Sequence, residues 1–161
     1  MNSLKKLSTV VVLFFVLSGV GPIQQQEIRG TSEDQVRALE HDVRAFGAKG
    51  DGRTLDTEAI NKAIEAAAAA GGGTVRFSAG RYLSFSIRLK SNITLYLDHG
   101  ATIVAADPKE SNGSYDLPEP NEWDMYQDFG HSHWKNSLIW GIGLENVAII
   151  GPGLIDGRGL L

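Results

Sequence analysis

The sequence predicts an all-β solenoid, in particular the N-terminal coils of a right-handed parallel β-helix capped by one N-terminal α-helix. Three observations favour this fold. Short segments of alternating apolar residues are separated by turns of Gly, Asn, Asp and Ser, a pattern typical of strands. Only one helical pattern is present, which excludes a doubly wound sheet with its alternating helices. A faint internal repeat indicates units that stack on one another.

The helix is predicted within the stretch FGAKGDGRTLDTEAINKAIEAAAAAGGG, residues 46–73. Its apolar stripe has the i, i+3, i+4, i+7 spacing of one helical face and consists of Ile60, Ala63, Ile64 and Ala67. Asp56 is expected to cap the first turn by accepting from the N–H group of Glu58 or Ala59. Three glycines end the helix. Because a solenoid end exposes an apolar core, the Ile60–Ile64 face is expected to cover that end.

The glycine-rich turn before this helix also resembles the start of many nucleotide sites. A phosphate loop requires Gly-Lys followed by Ser or Thr, which this sequence lacks after the turn. Gly47, Gly50 and Gly52 have the spacing G-x-x-G-x-G, which is not the dinucleotide fingerprint. The turn is therefore interpreted as structural.

Seven short strands are predicted after the helix. They are Thr74–Phe77, Ser86–Leu89, Ile93–Leu97, Thr102–Ala105, Ser137–Trp140, Val147–Ile150 and Gly153–Asp156. The segments NITLYLDHGATI and NVAIIGPGLI begin at Asn92 and Asn146, so one unit of the repeat spans positions 92–145. Each segment contains Asn, a strand, a glycine turn and a second strand. The repeat therefore predicts stacked coils with Asn hydrogen-bonded from coil to coil.

Residues 1–21 have the layout of a secretory signal peptide. Two lysines precede an apolar run from Leu7 to Val20, and small residues follow. A membrane anchor is the alternative, but the run is shorter than the roughly 20 residues of a spanning helix. We therefore expect an exported protein, secreted or periplasmic, with no membrane attachment after cleavage. Residues 22–40 are interpreted as a polar linker or arm.

The composition limits the possible partners. The chain has 161 residues, no cysteine and a formal net charge of −4. Disulfides and cysteine-ligated metals are excluded, and nothing indicates a nucleic-acid partner. No cofactor is expected.

Four segments together resemble the N-terminal part of the polygalacturonases, glycoside hydrolase family 28, and more broadly the pectate-lyase-like β-helix superfamily. They are FGAKGDGRTLDTEAINKAIEAA, GGGTVRFSAGRYL, LKSNITLYLDHGATI and GPGLIDGRG. The likeness covers roughly residues 42–159. It implies that residues 41–161 form the N-terminal part of a β-helix glycoside hydrolase domain. Its implied substrate is a pectin-like polygalacturonide.

The resemblance also implies inverting hydrolysis, in which one carboxylic acid protonates the leaving oxygen and a carboxylate activates water. The family carries this chemistry on N-T-D, D-D, G-H-G and R-I-K motifs after IDGRG, and none occurs here. We therefore assign no catalytic residue and expect a truncated part of a larger enzyme, inactive alone. The alternatives are a non-catalytic carbohydrate-binding or structural β-helix, and part of a polysaccharide lyase.

One long polar segment, Asp107–Ser137, interrupts the predicted strands. Loops of this length are usually functional or disordered. Aromatic faces can stack on sugar rings, and basic side chains can bind carboxylates. The candidate substrate-binding residues are Trp123, Tyr126, His131, His133 and Trp134. The alternative is that the aromatic residues of this segment pack on the outside of the solenoid. No metal ligands are assigned.

Overall fold

The computed structural model describes residues 40–120 and 133–157. The strands are β1 (Glu40–Asp42), β2 (Asp51–Leu55), β3 (Gly73–Phe77), β4 (Gly80–Ser84), β5 (Ile87–Arg88), β6 (Ile93–Leu97), β7 (Ala101–Ala105), β8 (Ile139–Trp140), β9 (Ala148–Ile150) and β10 (Leu154–Asp156). The helix α1 is Thr57–Ala69, and a 3-10 turn covers Val43–Phe46. The predicted signal peptide lies outside the described residues, as does the predicted arm except Glu40, which begins β1. In the two described ranges, no helix is both long and apolar enough to cross a membrane.

The strands form three sheets in which every pairing is parallel. Sheet A has the order β1-β3-β6-β9, sheet B the order β2-β4-β7-β10, and sheet C consists of β5 and β8. Each circuit of the chain therefore adds a strand to one sheet after another, and the fold is a parallel β-helix, as predicted. The circuits are called coils: coil 1 is β1, β2 and α1, coil 2 is β3–β5, coil 3 is β6–β8, and coil 4 is β9 and β10.

The core consists of columns of apolar side chains that stack from coil to coil inside the solenoid. Leu95 is paired with Val75 in coil 2 and with Ile149 in coil 4. In sheet B, Ile103 likewise lies between two neighbouring strands, because it pairs with Tyr82 in coil 2 and with Ile155 in coil 4. Leu95 and Ile103 are fully buried, whereas Ile149 and Ile155 are 43% and 40% exposed. Burial of an inward side chain therefore depends on a coil stacked on each side of it.

The predicted repeat is one coil that contains a long insertion. Gly73 pairs with Ile93 in the next coil, so this circuit of the chain spans only positions 73–92. Thr94 pairs with Ala148, so the following circuit spans positions 94–147. Most of the difference lies between β7 and β8, where residues 106–138 replace the short link 85–86 between β4 and β5. The insertion therefore projects from the corner of coil 3 between sheet B and sheet C.

The predicted contact between the two asparagines is confirmed. Asn146 Nδ2 donates to Asn92 Oδ1 over 2.9 Å, and both residues have a positive φ, of 54° and 62°. Asparagine tolerates this left-handed conformation better than most side chains. One coil earlier, Gly72 lies beside Asn92, and a Cβ at Gly72 would lie 2.6 Å from the Asn92 carbonyl oxygen. Only a glycine fits there without movement of the backbone.

The predicted helix is confirmed, but its start differs from the prediction. Asp56 makes no side-chain bond to the first turn of α1. Instead, its carboxylate accepts from the backbone N–H groups of Lys49 (2.7 Å) and Gly50 (3.0 Å). The expectation that Asp56 caps the helix through Glu58 or Ala59 is therefore wrong, because its carboxylate points back into the glycine-rich turn. The backbone N–H groups of the glycine-rich turn therefore bind the Asp56 carboxylate of the same chain.

A second set of contacts explains why Gly50 of this turn is a glycine. Arg44 Nη1 donates to the Lys49 carbonyl over 2.7 Å, and Arg44 Nε donates to the Tyr82 hydroxyl over 3.1 Å. Gly50 has a φ of 62°, and a Cβ there would lie 2.8 Å from Arg44 Nη2 and 2.9 Å from the Tyr82 ring. Position 50 is therefore packed too tightly for a side chain.

At its other end, α1 terminates as the glycines predict. Gly71 is left-handed, with a φ of 95°. Its N–H donates to the Ala68 carbonyl, and the Gly72 N–H donates to the Ala67 carbonyl. This pair of bonds is the Schellman motif. The predicted apolar stripe, Ile60, Ala63, Ile64 and Ala67, is buried.

α1 also hydrogen-bonds to sheet C through one side chain. Asn61 Nδ2 donates to the Ser86 carbonyl over 2.9 Å, and Asn61 Oδ1 accepts from the Arg88 N–H over 2.8 Å. The opposite edge of β5 pairs with β8. The carboxamide of Asn61 thus takes the place of a neighbouring strand and satisfies the free edge of β5.

The strand predictions are confirmed in position but incomplete. All seven predicted segments contain a strand, and the segments Ser86–Leu89 and Ser137–Trp140 are shortened to two residues each. The strands β1, β2 and β4 were not predicted. β2 reads DGRTL and β4 reads GRYLS, and their charged and glycine residues hide the alternation on which strand prediction depends.

Candidate functional site

The insertion between β7 and β8 is fixed to the solenoid by an aromatic contact. The rings of Tyr115 and Phe85 meet edge to face, with centroids 5.1 Å apart. The Tyr115 hydroxyl donates to the Ala106 carbonyl over 2.8 Å, and burial raises the pKa of this phenol. For Tyr115, the interpretation as packing on the solenoid is therefore correct.

The next residue, Asp116, joins the insertion to sheet C. Its carboxylate accepts from Arg88 Nε over 2.8 Å, from Arg88 Nη2 over 2.5 Å and from Trp140 Nε1 over 2.9 Å. Its backbone N–H donates to Ser86 Oγ over 2.9 Å. The bonds from Arg88 hold the pKa of the Asp116 carboxyl below its ordinary value. Asp116 therefore remains a carboxylate and keeps Arg88 and Trp140 in place.

A second carboxylate holds the end of the insertion. Glu119 Oε1 accepts from the backbone N–H of Trp134 over 2.9 Å, and Oε2 accepts from that of Lys135 over 3.0 Å. The Glu119 carbonyl oxygen lies 2.9 Å from His133 Nδ1. The backbone bond from Lys135 chiefly holds the pKa of Glu119 below its ordinary value. The outgoing and returning segments of the insertion are thus clamped together near the solenoid.

An open groove lies beside this clamp. It has a volume of about 630 Å³ and is lined by Leu89, Trp134, Ser137, Ile139, Trp140, Gly141, Leu144, Asn146 and Val147. Trp134 is 60% exposed, which is unusual for so large an aromatic side chain. Mostly apolar walls with a few polar groups are typical of a ligand site. The groove can therefore offer aromatic faces together with hydroxyl and amide groups.

The predicted site residues fall into two groups. Trp123, Tyr126 and His131 lie outside the described residues. His133 and Trp134 are described, and only Trp134 lines the groove. The prediction missed Trp140, Asp116 and Arg88. Arg88 and Trp140 are paired neighbours across β5 and β8, but they lie far apart in the sequence.

Neither carboxylate at this site is suited to act as a general acid. A general acid needs a carboxyl pKa raised toward the working pH, whereas Asp116 and Glu119 have lowered pKa values. Within residues 40–120 and 133–157, no three His, Cys, Asp or Glu side chains cluster as metal ligands.

Comparison with known proteins agrees with the fold. The family model described as "Rhamnogalacturonase A/epimerase, pectate lyase-like" matches residues 41–120. An exo-poly-alpha-D-galacturonosidase of Dickeya chrysanthemi is 35% identical over 123 residues, which cover 73% of this chain and 19% of the relative. An alginate lyase of Azotobacter vinelandii is 59% identical over 44 residues, 27% of this chain and 5% of the relative.

A solved structure supports the same relationship. The family 28 exopolygalacturonase of Yersinia enterocolitica has a TM-score of 0.56 and is 32% identical, covering 74% of this chain and 21% of that one. The chain thus spans about one fifth of the length of its polygalacturonase relatives. It belongs to the pectate-lyase-like β-helix proteins and is related, within them, to the family 28 polygalacturonases.

Proposed function

We propose that this chain forms the N-terminal coils of a family 28 glycoside hydrolase and binds a pectin-like polygalacturonide in the groove beside Trp134 and Trp140. The observation that carries the proposal is the exposed face of Trp134 in a groove of a chain related to exopolygalacturonases. The whole protein is proposed to be exported, in keeping with the apolar leader of the sequence.

The chemistry of the groove fits a sugar ring. A pyranose presents a face of C–H groups, which packs on indole in the way that other apolar surfaces do. Its hydroxyls require polar partners, and Ser137 and Asn146 lie on the groove wall. Few precisely placed polar groups on an apolar surface give orientation as well as affinity.

We propose inverting hydrolysis for the whole protein, with catalytic carboxylates that this chain does not supply. Two carboxyl groups about 6.5–9.5 Å apart are needed, one with a raised pKa. Asp116 and Glu119 are instead held ionised by donors. The chain alone should therefore release no reducing ends from polygalacturonate above a heat-denatured control.

We further propose that α1 caps a right-handed solenoid. Its apolar stripe contacts the 3-10 turn and strands of sheets A and C, and right-handed crossovers dominate among parallel strands. The free edge of β5 is satisfied by Asn61. A cap would shield the apolar interior of coil 1, which has no strand in sheet C among the described residues.

Binding of trigalacturonate, measured by isothermal titration calorimetry, tests the proposed function. Trp134→Ala should weaken binding by about tenfold, since losing an aromatic contact costs roughly 0.5–1.5 kcal/mol beyond the loss of buried area, and about 1.4 kcal/mol is tenfold. The matched control is Tyr96→Ala, which removes an aromatic ring in sheet A and should leave the affinity unchanged. Absence of binding by the unaltered chain, or equal losses in both variants, would contradict the proposal.

A non-catalytic carbohydrate-binding β-helix is the second candidate, because the exposed face of Trp134 in the groove could pack on a sugar ring whether or not the whole protein cleaves it. The two candidates are distinguished by whether the product of the full coding sequence cleaves trigalacturonate. If the full coding sequence contains no acid–base pair and its product binds trigalacturonate without cleaving it, the binding function alone remains.

A further inference from the structure

Two basic side chains flank Trp140, and they differ in their partners. Arg88 uses both Nε and Nη2 to bind Asp116. This ion pair offsets the positive charge of Arg88 and occupies two of its five N–H donors. Lys135 places its ammonium 5.7 Å from the centroid of the Trp140 ring. Among the described residues, no carboxylate lies within ion-pair distance of this ammonium.

The backbone of Lys135 is fixed, although its ammonium has no ion-pair partner within residues 40–120 and 133–157. Glu119 accepts from the N–H groups of Trp134 and Lys135 with its two carboxylate oxygens. The backbones of Trp134 and Lys135 are therefore held by the same carboxylate. Such a clamp lowers the cost of ordering these side chains around a ligand.

We propose that Lys135 is a specificity-determining residue that binds the carboxylate of an acidic sugar whose ring lies on the exposed face of Trp134. This inference rests on the proposed function and names the chemical group that the groove recognises. A uronate unit presents a carboxylate at the edge of the ring, while its C–H face packs on indole. A charge-assisted hydrogen bond from an ammonium is roughly twice as strong as a neutral one.

The neighbouring charges are compatible with an incoming anion. Asp116 attracts Lys135 at longer range, but its carboxylate is already bound by Arg88 and the Trp140 indole. Glu119 is bound by two backbone N–H groups. In the part of the chain that the structure describes, Lys135 therefore supplies a positive charge next to Trp140 that no carboxylate pairs with. A neutral or methyl-esterified unit could use the same aromatic face but would gain nothing from this charge.

The test compares trigalacturonate with its fully methyl-esterified form by isothermal titration calorimetry on the full chain. Lys135→Gln should weaken binding of the acid form by about tenfold, because a hydrogen bond to a charged group contributes at least about that much. Binding of the ester should stay within twofold of the unaltered chain. Lys109→Gln is the matched control, since Lys109 is an exposed lysine in the same insertion, and it should change neither affinity.

The outcomes separate this inference from the proposed function. If the unaltered chain binds both ligands and Lys135→Gln weakens both equally or neither, Lys135 does not recognise the carboxylate. The groove then remains a sugar-binding site. If the unaltered chain binds neither ligand, the groove is not a sugar site and both proposals are wrong. A circular dichroism melt within about 2 °C of the unaltered chain confirms that Lys135→Gln is folded.

Discussion

The side chain of Asp56 gives the sharpest stability prediction. It is 1% exposed and accepts from two backbone N–H groups, Lys49 at 2.7 Å and Gly50 at 3.0 Å. Hydrogen bonds to a charged group contribute about 1.5–3 kcal/mol each, and Asp56→Ala removes both. Allowing for solvent access to the freed N–H groups, we expect a loss of about 3 kcal/mol in the free energy of unfolding. A lost N-cap alone would cost about 1 kcal/mol.

Urea unfolding followed by far-UV circular dichroism measures this difference. Asp56→Asn separates shape from charge, because it fills the same space but turns one acceptor into a donor, and it should lose most of the same free energy. Asp42→Ala is the control. Asp42 makes one bond, 2.8 Å to the Arg44 N–H, on the exposed surface, and its loss should cost about 1 kcal/mol or less. A cost near 1 kcal/mol for both alanine variants would refute the reasoning.

Three further predictions concern the same fold. Ile64→Asp should destabilise the chain by about 4 kcal/mol or more, because an unpaired charge would enter the core, whereas Ala69→Asp on the exposed end of α1 should cost under about 1 kcal/mol; equal melting temperatures would contradict the buried stripe. Asn61→Leu should cost about 2–3 kcal/mol in urea unfolding, because it leaves one N–H and one carbonyl of the β5 edge unpaired; a neutral result would show that water satisfies that edge. The melting temperature should fall as the pH drops from 3.8 to about 2. Hydrogen bonds from Thr54 and Arg53 lower the pKa of Asp51 to about 2. Asp51 therefore stabilises the fold above its ordinary pKa and loses that contribution when it is protonated. Asp116 also has a lowered pKa, so Asp116→Asn should make the fall shallower, and an unchanged pH profile would contradict its ion pair with Arg88.

The helix and the interior strands could be predicted because their signals are local. The stripe of α1, its triple glycine and the alternation of ITLYL depend on periodicity within a few residues. The contact between Asn92 and Asn146 could be predicted because the two segments that begin with them are visibly similar in sequence. The insertion hid the true coil length, which is the much shorter step from Gly73 to Ile93. The spacing of the repeat in the sequence is therefore the length of one coil together with its insertion.

What could not be predicted depends on partners far away in the sequence. Asp56 has the residue type and position of an N-cap, and only the fold shows that the glycine-rich turn lies within reach of its carboxylate. Likewise, the pattern of β5 gives no hint that Asn61 completes its edge. The association of Arg88, Asp116 and Trp140 requires the register of sheet C, which single-sequence patterns do not contain.

The most direct test of the central claim is a nuclear magnetic resonance titration of the ¹⁵N-labelled chain with trigalacturonate. The indole N–H signals of Trp134 and Trp140 can be assigned with Trp134→Phe and Trp140→Phe variants. If the groove binds a polygalacturonide, both signals should shift with one saturable dissociation constant, and in Trp134→Ala the Trp140 signal should shift with a dissociation constant about tenfold higher. Indole signals that stay in place at about 10 mM ligand, a concentration well above the Kd of a weak site, would contradict the claim.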